Sequence, residues 1–346
     1  MATKHEFNNK VARAVFITLL IVSAFALLIL QPRFFILVFA GIFFAVLLNF
    51  GASWFHKKIK LPYGLSLLLV ILLIFFVATT LILLIGPSVG DQIKKIIEIF
   101  PQSIEHLKET LKQTELSRRL MNELPENPED LLMGVNSAKI YSQVMGSFAT
   151  TIGVLTNAFI IFVIGIFMAA SPSLYRNGLL KLFSPSFQPR LAEVLDKAHE
   201  TLSLWMFAKL ISMTAVAILT TVGLMVLGVP MPFALALIAA LFTFIPTIGP
   251  FIGLIPAVLI GLMQGANMAF YVLILYLSIQ IIEAYLITPM VEKRIVSLPP
   301  ALTLLWLILF GMLTGIFGMI LATPLLATII VFVDQLYVKD YLGNKT

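Results

Sequence analysis

The stretch Phe242–Gly261, FTFIPTIGPFIGLIPAVLIG, sets three prolines and three glycines into an otherwise unbroken apolar run. A helix interior loses about 3 kcal/mol for each proline and about 1 for each glycine. Pro246, Gly249 and Pro250 together therefore end one helix and start another. Inside a bilayer the backbone groups freed at such a break find no water, so it survives at depth only where protein buries it or a wet cavity runs past it. Broken apolar segments of this kind form binding sites in transporters. The plain alternative is a kinked span that only packs.

Composition decides the medium. The 346 residues are 60% hydrophobic and 12% charged, a balance outside that of water-soluble domains, and the chain reads as an all-α integral membrane protein. The absence of Cys excludes disulfides, thiolate nucleophiles and Cys-held metals. The four His are scattered without a His-x-x-x-His pair, so neither metal nor cofactor is expected. The net charge of +6 does not point to nucleic acid. Residues 88–145 carry 7 basic and 9 acidic residues, and the excess of positive charge sits on short segments flanking apolar runs, the pattern of cytoplasmic loops.

About six full spans are expected, together with two broken or re-entrant hairpins. Val11–Leu30, preceded by Lys4, Lys10 and Arg13, is the first span, and the Gln31-Pro32-Arg33-Phe34 that follows is unlike a signal-peptide cleavage site. Phe34–Phe55 is the second, closed by Trp54 and the cluster His56-Lys57-Lys58-Ile59-Lys60, which marks the cytoplasmic face. Leu65–Ile85 is the third. Residues 1–86 thus form a first unit, with the amino terminus inside.

Residues 87–145 read as an extracytoplasmic helical segment. Ile93, Ile96, Ile97, Phe100, Ile104, Leu107 and Leu111 recur at helical spacing, with Lys and Glu on the opposite face. A stripe of this size exposed to water is an association liability, so it is expected to pack against protein, most simply another copy of the chain in a homo-oligomer.

Residues 146–346 form the expected transport core. Gly146–Ala170 is the fourth span. Ser171–Leu204 carries Arg176, Lys181, Arg190 and Lys197 and is read as cytoplasmic, with Leu191, Leu195 and Leu202 on a short helix along the interface. Trp205–Leu227 is the fifth span. Residues 233–263 are two pieces each too short to cross alone. If they form a hairpin that enters and leaves on the outer side, Lys293 and Arg294, after the span Tyr271–Thr288, fall inside, as positive charge prefers. The second broken run, 301–333, then opens inward and places the tail in the cytoplasm. Hairpins of opposite orientation around one span resemble an inverted repeat.

Charged groups within spans are costly and usually face an interior. Glu283 is the leading candidate for ion or proton coupling, because Gln280 lies one turn before it on the same helix face. Lys209 is a second, although its stem reaches the headgroups from its position near Trp205. Asp334 reads as an interfacial acid. The expected substrate path runs past Thr243, Pro246, Thr247, Gly249, Pro250, Gly253 and Pro256, then Gln280 and Glu283, and past Gly315, Gly318 and Pro324 in the second hairpin. Gln264 and Asn267 are further polar groups near the break. Gly249→Leu is expected to impair transport more than folding.

From Pro172 onward the chain resembles the autoinducer-2 exporter family of bacterial and archaeal multi-pass membrane proteins. The resemblance rests on Pro172-Ser173-Leu174-Tyr175-Arg176, Leu227-Gly228-Val229-Pro230, Phe244-Ile245-Pro246-Thr247-Ile248-Gly249-Pro250, Gln280-Ile281-Ile282-Glu283, Leu286-Ile287-Thr288-Pro289, Leu298-Pro299-Pro300 and the run Gly315–Leu325. It implies an export permease of the plasma membrane with a large extracytoplasmic segment after the third span. The chain departs from the family pattern at Ala208-Lys209, where Gly-Gln is usual, and at Thr243 and Thr247, which flank the Phe-Ile-Pro triplet in place of an amide or acid and an aromatic.

The function expected is secondary-type export of a small solute, with monovalent-cation/proton antiport as the alternative and a non-transporting scaffold behind both. No Gly-x-x-x-x-Gly-Lys-Ser/Thr loop is present to bind nucleotide phosphates. His-Glu-x-x-His and Gly-x-Ser-x-Gly are also missing, so the chain is not expected to be an enzyme.

Overall fold

The computed structural model describes residues 30–80, 137–292 and 298–343, with positions 15 and 83 besides. Nearly all of the expected first span, the stripe from Ile93 to Leu111, and Lys293 with Arg294 lie outside the described residues. Among the described residues every regular element is helical. Five helices are long and apolar enough to cross a bilayer, and a sixth candidate is the pair Leu155–Ala170 and Pro172–Leu180, bent by 86°.

In chain order these are α1 (Pro32–Ile59), α2 (Tyr63–Thr80), α3 (Ser137–Ala170), α4 (Pro172–Leu180), α5 (Gln188–Val226), α6 (Pro232–Phe242), α7 (Gly249–Gln264), α8 (Ala266–Ile282, continued by a π-turn over Glu283–Ile287 and a last turn Thr288–Glu292), α9 (Pro300–Thr314) and α10 (Ile316–Phe332, continued as a π-helix Val333–Tyr341). Lipid tails are as apolar as these side chains, so close packing and not water exclusion holds such helices together, and small residues let it happen. Gly41 of α1 faces Ile164 of α3, Gly165 of α3 faces Phe44 of α1, and a side chain on either would collide with its neighbour. Ala52 and Ala169 share a core cluster at the far ends of these helices, so α1 and α3 run the same way. Tyr63, opening α2, donates to Ala169 O at 2.8 Å and bonds to Asn49.

The chain turns at Ser171 because a residue before proline avoids helical geometry. Helix α4 then lies across the end of the bundle with Leu174, Tyr175 and Leu179 exposed, a face suited to the headgroup boundary. This corrects the placement of the interfacial helix. Leu191, Leu195 and Leu202 are not on a separate short helix but on α5, which runs unbroken for 39 residues from Gln188. Leu191, Val194, Ala198, Leu202 and Trp205 are buried along one face of α5, and no glycine or mid-helix proline interrupts it before Gly223. At 1.5 Å per residue α5 extends about 58 Å, far more than a hydrocarbon core of about 30 Å.

Two helical hairpins complete the fold. Gly253 of α7 lies against Ala239 of α6, where a Cβ would come within 2.9 Å of its Cα, and these positions are nearly equidistant from the turn at 243–248. Gln264 at the end of α7 donates to Gly228 O at 3.3 Å, so this hairpin returns to the end of α5 from which it left. The second turns at Gly315, whose φ of +70° suits glycine, and pairs Gly311 with Met319 and Gly318 with the Phe310 carbonyl. Its closing π-helix is held to the start of α5: Arg190 grips Asp340 through Nε and Nη2, both at 2.9 Å, and reaches Gln335 O at 3.2 Å. The two hairpins thus open toward opposite ends. The tip of the first and the arms of the second share one core, where Phe244 packs on Trp205 (5.6 Å between centroids) and Phe43 (6.4 Å), and Phe310, Ile320 and Leu321 join them, while Met312, Leu313 and Ile316 beside Gly315 are exposed.

Charge gathers at one end. Lys57 and Lys58 close α1, Arg176 of α4 pairs with Asp196 of α5 at 2.6 Å, and Lys339 pairs with Asp334 at 3.1 Å. The Tyr63–Ala169 bond and the Arg190 clamp bring these segments to the same end of the bundle.

Candidate functional site

The first hairpin turns through a tight bend. Helix α6 stops at Phe242 because Pro246 and Pro250 supply no N–H to continue it. Ile248 N–H donates back to Pro246 O at 2.7 Å around Thr247, whose φ is +67°. This is a γ-turn of the rare, strained hand, on a β-branched residue that ordinarily avoids positive φ. Gly249 N–H donates to Ile245 O at 3.1 Å, and Ile245 N–H donates to Phe242 O at 2.9 Å. A Cβ on Gly249 would fall far inside van der Waals contact of that same Phe242 oxygen, so the bend has room only for glycine.

Beside the bend, α5, α6, α7 and α8 enclose a cleft of about 40 Å³. Its polar lining is Thr220 of α5, Thr243 at the end of α6, and Tyr276 and Gln280 of α8, with Val216, Ala239, Pro250, Phe251, Leu254, Leu277 and Ile279 between them. The Thr243 hydroxyl donates to Ala239 O at 2.8 Å. Thr220 is fully buried and Tyr276 is 8% exposed, and neither hydroxyl has a partner among the described residues.

One turn along α8 from Gln280 lies Glu283, 7% exposed. Its Oε2 accepts from Gln280 Nε2 at 3.4 Å and its Oε1 accepts from Thr288 Oγ1 at 3.0 Å. The helix is widened here. Thr288 N–H donates to Glu283 O, five residues back, because Pro289 cannot donate and its ring crowds the carbonyl of a regular α-turn. Such π-turns recur at functional sites. Glu283 is thus a buried carboxyl set by two neutral donors, in a helix distorted at that residue.

The structure gathers Thr243, Pro250, Gln280 and, one turn on, Glu283. Gly249 and Gly253 are the close-approach points of the hairpin, Pro246 accepts the γ-turn bond, and Pro256 sits within α7. Thr247 is exposed at the tip and does not line the cleft. Gly315, Gly318 and the fully buried Pro324 belong to the second hairpin. Lys209 is partly buried on α5 and Asn267 is exposed, and neither lines this cleft. Asp334 is an ion-paired acid at the charged end. Sequence reasoning missed Thr220 and Tyr276. Tyr276 carried a signal, since it precedes Gln280 by four residues and Glu283 by seven. Among the described residues no group of three His, Asp or Glu could hold a metal.

The family model of AI-2E family transporters matches residues 15–338. The chain belongs to this family. The match takes in the first half of the chain as well, beyond the resemblance read from Pro172 onward. The AI-2E chain is similar to "Putative transport protein YueF" of Bacillus subtilis, 24% identical over 312 residues, 88% of this chain and 84% of that one. It is also similar to "Putative transport protein MT0215" of Mycobacterium tuberculosis, 28% identical over 194 residues, which are 56% and 53% of the two chains. "Putative transport protein YrrI" of B. subtilis is 28% identical over 163 residues, 47% and 46% of the two. The protein is a multi-pass helical membrane transporter of the AI-2E type.

Proposed function

We propose that the chain is a secondary-type exporter of a small solute, driven by a proton that Glu283 takes up on one side of the plasma membrane and releases on the other. The observation that carries this reading is the burial of Glu283 one turn from a largely apolar cleft that presents Thr220, Thr243, Tyr276 and Gln280 at the break of α6 and α7. A carboxyl out of water is costly, and the partners that hold it among the described residues are two neutral donors. The alternative, monovalent-cation/proton antiport, has its own support: the cleft offers hydroxyl and amide oxygens of the sort that suit a hard cation. The reading makes the chain a carrier and not an enzyme.

Proteoliposomes decide between these. Efflux of autoinducer-2 is expected to accelerate under an inward proton gradient. No solute flux under any gradient, with proton movement driven by sodium or potassium alone, overturns the export reading in favour of antiport.

The same reading makes both hairpins re-entrant and puts the charged end in the cytoplasm, as positive charge prefers. The chain has no native Cys, so Asn267→Cys and Lys293→Cys variants isolate single labelling sites. An impermeant maleimide added to intact cells should modify the first and spare the second. Labelling at position 293 from outside rejects this orientation.

A further inference from the structure

The buried hydroxyls of Thr220 and Tyr276 have no partner among the described residues, and both residues line the same cleft. Buried polar groups without protein partners are as a rule satisfied by ordered water. A water needs about 10–15 Å³ of free volume and two to four polar partners. The cleft has about 40 Å³ and presents Thr220, Thr243, Tyr276 and Gln280. No charged side chain lines it.

We propose that the cleft holds ordered water bonded to Thr220 and Tyr276, and that this water fixes the Gln280 amide against Glu283. Tyr276 and Gln280 are one helical turn apart, about 6 Å along the axis, a gap that one water bridges. The Gln280 amide has two donors and an acceptor. One donor is committed to Glu283 at 3.4 Å, which leaves the amide oxygen and the second N–H to bond toward the cleft. Without that second anchor the amide is free to rotate, and this long bond is then lost first. Thr220 and Tyr276 are therefore positioning residues that act on Glu283 through water and Gln280. The water site stands on geometry alone; its effect on transport rests on the proposed role of Glu283.

Radiolytic footprinting tests the site without any cargo. X-ray pulses convert bound water to hydroxyl radicals that oxidise the side chains touching it. In the purified wild-type protein Tyr276 should be oxidised despite its burial, with Tyr341, 78% exposed, as the reference. Oxidation at Tyr276 should fall several-fold in Thr220→Val and persist in Thr220→Ser, which keeps the hydroxyl. Tyr276 left unmodified in the wild type, or modified equally in Thr220→Val, overturns the water site. The positioning role is read from the pH profile of flux. Tyr276→Phe should move it in the same direction as Gln280→Leu, and a profile unchanged in Tyr276→Phe but moved in Gln280→Leu overturns that role. Loss of the Glu283 reading would instead appear as normal flux in Glu283→Gln, with the footprint intact.

Discussion

Glu283→Gln protein is expected to insert and fold as the wild type does while its proton-driven flux falls at least about tenfold, equivalent to about 1.4 kcal/mol or more in the coupled step. The substitution keeps shape and one acceptor oxygen; its NH2 donates where the second oxygen accepted, to the Thr288 hydroxyl or a turned Gln280 amide, so packing around the π-turn has little reason to change. Only ionisation is removed. The residual flux should no longer respond to pH, because the group that alternated between charged and neutral forms is now permanently neutral. Glu283→Asp, which retracts the carboxyl by one methylene, should keep pH dependence at reduced rate. Thr288→Val removes the 3.0 Å donor and should shift the profile without abolishing it. Normal flux with normal pH dependence in Glu283→Gln would reduce the residue to a structural acid and leave proton coupling without its main support.

The parts of this site legible in the sequence were those that break a rule of membrane helices. Pro246, Gly249 and Pro250 cannot continue a helix, so the bend was visible. Glu283 is an acid in an apolar span, and Gln280 shares its face by spacing alone. Thr220 and Tyr276 break no rule, because threonine and tyrosine pack in membrane helices everywhere. Their meeting depends on how α5 lies against α8, and that contact is set by Gly223, which sits so close to Leu275 that any side chain there would overlap it. Nothing local announces such a contact. The length of α5 was missed for another reason. The fall in charge near Leu204 looked like a helix boundary, yet backbone hydrogen bonds within a helix do not depend on whether headgroups or hydrocarbon surround it. The interfacial helix was therefore placed one element too late, and the proline that does break the path, Pro172, is the one that turns α3 into α4.

Seen together, the hairpins give the molecule a middle. The tip of the first and the middle of the second pack in the core around Trp205, and each hairpin opens to a different end. Pairs such as Phe244 with Trp205 contribute about 0.5–1.5 kcal/mol beyond their buried area, so these rings help hold the two hairpins to α5 and α1.

Gly249→Ala tests whether the bend is as tight as described. Leucine at this position seemed, from sequence, to threaten transport more than folding, and the geometry revises that expectation. The first carbon of any side chain meets the Phe242 carbonyl oxygen, a backbone atom that already accepts from Ile245 N–H at 2.9 Å. It cannot rotate away as a side chain would, so the turn itself must open. Forcing atoms into a filled site typically costs about 1–3 kcal/mol, occasionally more, and the Thr247 γ-turn beside it is already strained, leaving little slack. Gly249→Ala should therefore lower the melting temperature in detergent by about 1–4 °C, and flux should fall with it. Gly64→Ala is the control. Gly64 lies in α2 with nothing within 4 Å of an added Cβ, and alanine there gains helix propensity of about 1 kcal/mol, so its melting temperature should hold or rise. Gly253→Ala should be intermediate, because its neighbour is the Cα of Ala239 at 2.9 Å and two helices can part by a few tenths of an ångström where a closed turn cannot. If Gly249→Ala melts with Gly64→Ala and transports normally, the bend has room to spare and the hairpin tip is not the rigid point on which the site is built.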